Sequence, residues 1–120
     1  MVVIGASWGG LTAFTTIIRG LPAAFPLPVV IVQHRSRDST SALAELIQDV
    51  TTLPVCEVDD KAPVVAGQVF VAPPDYHLLI EGEHFALSTD APQRFSRPSI
   101  DVTFESAAHV HDRATIGVVL

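Results

Sequence analysis

The first ten residues, MVVIGASWGG, restrict the fold of this chain more than any other stretch. Four apolar residues run without alternation into Gly5, which is typical of a strand buried on both faces. Gly5 and Gly9 are expected to provide the backbone freedom that a tight strand-to-helix turn needs. The segment from Gly5 to Gly9 fits the G-x-S-x-G pattern of a nucleophile elbow, in which a serine hydroxyl is presented at the carboxyl end of a strand. The pattern predicts Ser7 as a nucleophile and the backbone amide of Trp8 as an oxyanion donor.

Composition and charge narrow the class of protein. The chain has 120 residues, of which 48% are hydrophobic and 17% charged, enough for one well-buried domain. The net charge of -6 argues against a nucleic-acid partner, which usually requires a basic surface. The single cysteine, Cys56, excludes an internal disulfide and indicates a reducing compartment. The apolar amino terminus has no basic flank and is too short to insert into a membrane. We therefore expect a soluble cytoplasmic domain.

Apolar strands and amphipathic helices alternate after the elbow. The first helix has an apolar face and is followed by a second buried strand, residues 29–32, that leads into His34. A strand-helix-strand unit with short loops predicts two parallel strands with a right-handed crossover. Further predicted elements are a helix with the buried stripe Leu43, Leu46, Ile47 and Val50; a strand at 54–58; strand pieces at 64–65 and 68–71; a β-hairpin of 77–81 and 84–88; a helix whose first turn contains Pro98; and a buried strand at 115–120.

These elements predict a three-layer α/β/α fold, Rossmann-like or flavodoxin-like, with a mostly parallel sheet and an antiparallel hairpin near an edge. Such sheets place their sites at the carboxyl ends of the strands, where both Ser7 and His34 fall. A serine hydroxyl needs a neighbouring base to take its proton, and imidazole titrates near neutral pH. A serine hydrolase also needs an acid behind the histidine. The alternative is that Ser7 is only a small turn residue and His34 only a strand-end histidine.

The sequence gives weaker support to two other kinds of site, a dinucleotide site and a metal site. The elbow also resembles a dinucleotide fingerprint, but Ser7 and Trp8 obstruct the pyrophosphate, and only Arg35 or Arg37 would be available for a 2′-phosphate of NADP. No metal or other cofactor is predicted, because one cysteine and the scattered histidines make no ligand set. Those histidines are His77, His84, His109 and His111.

Arginines form the predicted recognition surface. Arg35, Arg37, Arg94 and Arg97 fall in loops at or near the proposed site. In an otherwise acidic domain they would recognise an acidic protein surface, and the alternative is ordinary solvated charge. Arg35 and Arg97 are the candidates for substrate binding.

Five blocks of the sequence carry a family resemblance. They are VVIGASWGG, LPAAFPLPVVIVQH, VFVAPPDYHLL, SRPSIDVTFESAA and IGVVL, and they occur in the family's order and are spread over essentially the entire chain. The chain resembles the catalytic domain of the chemotaxis protein-glutamate methylesterases of the CheB type. The resemblance implies hydrolysis of glutamate methyl esters on chemoreceptors, and glutamine deamidation. It implies Ser7 as nucleophile, His34 as general base, Trp8 and Gly9 at the oxyanion site and active-site wall, and no cofactor.

Departures from the family pattern lead to further expectations. In the family, threonine is common at the position of Trp8, and methionine is frequent at the position of Arg35. We therefore expect the pocket of this chain to be narrower than in those relatives and its entrance to be more cationic. The family's catalytic aspartate lies in a glycine-rich loop after the strand matched by IGVVL, the last block of this sequence. Because the first strand begins at Met1, we also expect no receiver domain before it. We therefore expect a partial domain with two of three triad members, weak or inactive by itself.

Three further expectations concern the catalytic acid, the alternative function and self-association. No family motif places Asp38, Asp75 or Asp101 in the role of the catalytic acid. A catalytically defective binding or regulatory module is the alternative function. The exposed end strand near Leu120 should favour a homo-oligomer.

Overall fold

The computed structural model describes residues 1–7, 9–36, 38 and 42–120. Within them a five-stranded parallel sheet has the strand order β3-β4-β2-β1-β7, and a separate antiparallel pair consists of β5 and β6. The elements are β1 (Val2–Ala6), α1 (Leu11–Gly20), β2 (Val29–Gln33), α2 (Ala42–Gln48), β3 (Val55–Glu57), β4 (Val69–Val71), β5 (His77–Glu81), β6 (His84–Ser88), α3 (Ile100–His111), a 3-10 turn (Asp112–Ala114) and β7 (Ile116–Val119). The predicted α/β class with a mostly parallel sheet and an antiparallel hairpin is confirmed.

The two apolar runs predicted as strands form the centre of the sheet. β1 and β2 pair in parallel register from Val2 opposite Val29 to Ala6 opposite Gln33. Successive side chains of a strand point to opposite faces, so each run supplies both layers of core. Val3 and Val30 pack into the cluster on one face, whereas Ile4 and Ile31 pack into the cluster on the other. This two-sided burial explains the absence of alternation in the sequence.

α1 and α2 cover one face of the sheet. Phe14 and Ile18 of α1 are fully buried, four residues apart as one helical face requires. α2 buries Leu43 and Ile47. The prediction that Leu46 belongs to this stripe is wrong, because its side chain is 44% exposed.

The hairpin and α3 cover the other face. The predicted hairpin is confirmed at its stated bounds, with His77 opposite Ser88 and Glu81 opposite His84. Polar side chains of α3 fasten it to β5: the Thr103 hydroxyl donates to the Leu78 carbonyl at 2.7 Å, and the Ile80 amide donates to Ser106 Oγ at 3.0 Å. The hairpin is therefore held as part of the third layer.

Three further predictions about the elements are wrong. α3 begins at Ile100, two residues after Pro98, because Ser99 is the N-cap and its hydroxyl accepts from the Val102 amide. Residues 64–65 are not a strand. The strand at 116–119 lies at an edge of the sheet and exposes Val119 by 72%, so it is not buried.

Within the described residues, no helix is both long enough and apolar enough to cross a bilayer.

Candidate active site

Ser7 lies on a sharp turn between β1 and α1. It is exposed and follows the last residue of β1 directly. The Gly10 amide donates to the Ser7 carbonyl at 3.2 Å, which closes the turn, and α1 begins one residue later. Gly9 has φ +88°, a conformation that side chains other than glycine rarely adopt. This strand-turn-helix context is the one that a nucleophile elbow requires.

The other two glycines of the elbow provide space. A Cβ on Gly10 would lie 2.4 Å from Ala6 Cβ, and a Cβ on Gly5 would lie 2.5 Å from Cγ2 of Ile100. Gly5 does not have a positive φ, so the expectation that it supplies backbone freedom is wrong. Its missing side chain allows the first turn of α3 to pack directly against β1.

His34 lies at the end of the neighbouring strand. Its backbone amide donates to the Ala6 carbonyl at 3.0 Å, continuing the β1-β2 ladder. Ser7 and His34 each stand one residue beyond the paired residues Ala6 and Gln33. Adjacent strands are about 4.8 Å apart, so the fold places the serine and the histidine on neighbouring strand ends.

A cavity of about 220 Å³ opens beside His34. Its wall includes Gln93 and Arg94 from the loop before α3, Ser99 and Asp101 from the start of α3, and Val119 from β7. The sequence argument missed Gln93, Ser99 and Asp101 as residues facing the histidine. They lie about 60 residues from it along the chain, and no local pattern signals the contact.

The amino terminus of α1 adds a favourable electrostatic feature at the elbow. The first turn of α1 contains no acidic residue, and its N-cap, Gly10, offers no side-chain oxygen to the free amides. Neither the N-cap nor the first turn of α1 therefore compensates the positive end of the helix dipole near Ser7. Such an end stabilises negative charge, including the oxyanion formed when an ester is attacked. Trp8, predicted as an oxyanion donor and wall residue, lies outside the described residues.

Arg97 ties together the loop that faces the cavity. Its guanidinium donates to Asp75 Oδ1 at 2.6 Å and 3.1 Å, and to the backbone carbonyls of Thr89 and Asp90 at 2.9 Å and 3.2 Å. The Arg97 side chain is only 15% exposed. This geometry favours a positioning role for Arg97 over the predicted contact with substrate.

Arg35 also interacts with groups of its own chain. Its Nη1 lies 3.7 Å from Glu57 Oε2 and donates to the Ala72 carbonyl at 3.5 Å, and its side chain is 6% exposed. Burial lowers the pKa of Arg35 from its ordinary value, and the Glu57 carboxylate partly offsets this effect. The guanidinium is thus directed towards the ends of β3 and β4. This orientation does not support the prediction that Arg35 makes the entrance of the pocket more cationic. Arg37 lies outside the described residues.

His77 is a second anchor of the same loop, and the sequence argument did not identify it as one. The imidazole is 2% exposed, its Nε2 lies 2.9 Å from the Ala91 carbonyl, and its Nδ1 accepts from the Ser99 amide at 3.3 Å. One ring nitrogen must therefore donate while the other accepts, which is the pattern of neutral histidine. His77 fixes the loop at both ends.

Cys56 and the histidines do not provide a rival site. Burial raises the pKa of the Cys56 thiol, so that less of the reactive thiolate is present at neutral pH. Among the described residues, no group of three or more His, Cys, Asp or Glu side chains is arranged to hold a metal ion.

Comparison with known proteins identifies the family. A family model described as CheB methylesterase matches residues 2–120. The chain belongs to this family. The resemblance found in the sequence is therefore confirmed, and membership in the CheB family does not favour the dinucleotide alternative.

Relatives in the CheB family are similar along the whole of this chain. A protein of Leptospira interrogans is 42% identical over 120 residues, covering 99% of this chain and 62% of the Leptospira protein. A protein-glutamate methylesterase/protein-glutamine glutaminase of Symbiobacterium thermophilum is 41% identical over 121 residues, covering 100% of this chain and 33% of the relative. The chain thus spans less than two thirds of the length of these relatives.

A solved structure of the CheB family shares the fold. The crystal structure of the Thermotoga maritima CheB methylesterase catalytic domain superposes with a TM-score of 0.94 at 36% sequence identity. The match covers 98% of this chain and 65% of the Thermotoga chain. The sheet, helices and hairpin described above are therefore those of the CheB catalytic domain.

Proposed function

We propose that this chain carries the nucleophile and the general base of a protein-glutamate methylesterase. The observation that carries the proposal is the position of Ser7 on a glycine-flanked elbow at the end of β1, beside His34 at the end of β2. Relatives of this chain are named protein-glutamate methylesterase/protein-glutamine glutaminase, which supports this substrate class. The same chemistry applied to a glutamine amide would release ammonia.

The reaction would take place in two stages, acylation of Ser7 and hydrolysis of the acyl-serine. Ser7 Oγ attacks the carbonyl carbon of the methyl ester while His34 takes the hydroxyl proton, and amide donors of the elbow stabilise the oxyanion. The tetrahedral intermediate expels methoxide, which receives the proton from His34 and leaves as methanol. Water then attacks the acyl-serine with His34 again as base, and the carboxyl group of glutamate is released as Ser7 regains its proton.

The acid that would orient His34 is proposed to be the aspartate of the family's glycine-rich loop, which residues 1–120 do not contain. Asp75 is held by Arg97, which supports a structural role for it. Asp101 contributes to the wall of the cavity and lies 3.8 Å from Arg94, where both side chains are largely exposed. Neither carboxylate matches a catalytic motif of the family.

Methanol release tests the proposal. The complete gene product, incubated with a methylated chemoreceptor fragment, is expected to release methanol and to leave free glutamate side chains. Mass spectrometry of the receptor fragment measures the loss of each methyl group. Tight binding of the receptor without any loss of methyl groups would contradict the proposal and would support the binding-module alternative.

We further propose that the protein acts in the cytoplasm on the cytoplasmic helices of a chemoreceptor, as the family resemblance implies. The single cysteine, unpaired in the fold, supports a reducing compartment.

Self-association through β7 is also proposed. β7 lies at an edge of the sheet and exposes Ile116 and Val119, and such an edge can pair with a second copy. Sedimentation velocity is expected to show a concentration-dependent dimer that Val119→Lys weakens. A species that stays monomeric at all concentrations would rule out this assembly.

A further inference from the structure

The loop before α3 forms a tight turn beside the cavity at His34. The Gln93 amide donates to the Ser96 carbonyl at 3.0 Å, and the Ser96 amide donates to the Gln93 carbonyl at 2.9 Å. The two residues between them, Arg94 and Phe95, have φ +48° and +66°. Two-residue turns with both central residues at positive φ strongly prefer asparagine and glycine. Residues 93–96, called the docking tip below, therefore hold two unfavourable side chains in a strained conformation.

Strain of this kind persists only when the surrounding structure imposes it. Arg97 follows the docking tip and is bound to Asp75 and to the carbonyls of Thr89 and Asp90. His77 holds the Ala91 carbonyl on the other side of the tip. The base of the loop is thus fixed, and the docking tip projects from a rigid support.

The docking tip presents an aromatic ring and a cation to solvent. The Phe95 side chain is fully exposed, at 103% of its reference area. The Arg94 side chain is 90% exposed, and its Nη1 lies 3.8 Å from Oδ2 of Asp101, whose side chain is itself 63% exposed. Exposed ion pairs of this length are weak, so Arg94 can exchange Asp101 for another carboxylate. Gln93 and Arg94 also belong to the wall of the cavity that contains His34.

We propose that the docking tip binds the polypeptide that carries the ester, with Phe95 packed on an apolar side chain and Arg94 paired with a carboxylate near the ester. This inference rests on the proposed function. A cavity of about 220 Å³ has room for one side chain, so the rest of a protein substrate must lie outside it, where the tip projects. The chain carries a net charge of -6, and a cation retained at this place is complementary to a glutamate carboxylate of the substrate polypeptide.

Substitutions at Phe95 separate a binding role from a backbone role. Phe95→Asn and Phe95→Gly remove the ring but suit a positive φ, so the turn should be kept. Each is expected to weaken binding of a methylated receptor fragment about tenfold, or ~1.4 kcal/mol. Phe95→Leu keeps apolar area and should stay within about threefold of the parent. Phe95→Gly is also expected to raise the melting temperature, because it relieves strain.

The measurement is calorimetric titration of the receptor fragment into the complete gene product that carries Ser7→Ala, so that no ester is consumed. Arg94→Gln should weaken binding and reduce its dependence on salt. The matched control is Val65→Ala, an exposed apolar residue in the segment that leads to the amino end of β4, whereas the docking tip lies beside a strand's carboxyl end; this substitution should change nothing. Unchanged affinity in both Phe95→Asn and Phe95→Gly would overturn the proposal, as would no binding by the parent.

The two proposals fail in different ways. Binding that depends on Phe95 in a protein that releases no methanol would overturn the methylesterase proposal and support the docking tip. Methanol release with a KM that Phe95→Asn leaves unchanged would overturn the docking tip and support the methylesterase.

Discussion

Ser7→Ala in the complete gene product is expected to lower the rate of methanol release from a methylated receptor fragment by about 10⁴- to 10⁶-fold. The hydroxyl is the proposed nucleophile, and an alanine on the elbow leaves the histidine without a group to activate. Ser7 is exposed, so removal of one oxygen should hardly affect the free energy of unfolding. The measurement is single-turnover methanol release, accompanied by circular dichroism and thermal unfolding.

His34→Gln extends the same prediction. A nucleophile and its base act as a unit, so the loss in His34→Gln should approach that in Ser7→Ala. The double variant should be scarcely slower than either single variant, because each alone already removes the proton transfer from the attack step. Rates that multiply in the double variant would show that the two groups act independently, contrary to the proposed mechanism.

Ser36→Ala is the matched control for Ser7→Ala. Ser36 is an exposed serine two residues after His34, and its hydroxyl accepts from the Asp38 amide at 3.2 Å. Ser36 follows the carboxyl end of β2, near the candidate site, but it is not part of the elbow. The control should keep the parent rate. A Ser7→Ala protein as active as the Ser36→Ala protein would exclude Ser7 as the nucleophile.

The local part of the fold could be predicted from the sequence because it depends on short-range patterns. The runs at 2–6 and 29–32 contain no polar side chain, as is typical of a central strand, and Phe14 and Ile18 recur at helical spacing. Gly82 has φ +71° in the hairpin turn, which is the conformation that glycine adopts without strain. The elbow, β2 and the hairpin could therefore be located within a residue or two.

Burial of particular positions could not be predicted as well, because it depends on which element lies opposite. Leu46 satisfies helical spacing but faces solvent, since the sheet beneath α2 contacts only the face of Leu43 and Ile47. The apolar strand at 116–119 resembles a central strand, and within residues 1–120 it pairs with β1 alone, so its own sequence could not predict that Val119 is exposed there. Proline suits a first helical turn, but Ser99 caps α3 and moves the start beyond Pro98.

Of the candidate site, the sequence could predict the placement of Ser7 and His34 but not that of the arginines. Ser7 and His34 follow paired strands, so topology alone brings them together. The arginines behave differently, because a long side chain bonds to whatever partner the fold supplies. Arg97 turns to Asp75 and Arg35 to Glu57, while Arg94 belongs to the cavity wall. The positions of the arginines in loops near the site indicated a cationic surface, but they could not distinguish these three orientations.

Phe14→Ala is expected to lower the free energy of unfolding by about 3–5 kcal/mol, a large part of the total for a domain of this size. The ring is fully buried between α1 and the sheet. It also supports the elbow: the Phe14 amide donates to the Gly10 carbonyl at 2.9 Å, and Cε2 of the ring lies 3.4 Å from the position that a Cβ on Gly10 would take. The cavity left by alanine would therefore lie directly under the turn that presents Ser7.

Urea denaturation followed by circular dichroism measures this loss, with Thr16→Ala as the matched control on the same helix. Thr16 is exposed and its hydroxyl donates to the Thr12 carbonyl within α1, so its removal should change the unfolding free energy by less than about 0.5 kcal/mol. Phe14→Leu, which refills much of the cavity, should fall between the two. If Phe14→Ala costs no more than Thr16→Ala, the ring is not packed in the core, and the elbow does not depend on α1 docking against the sheet.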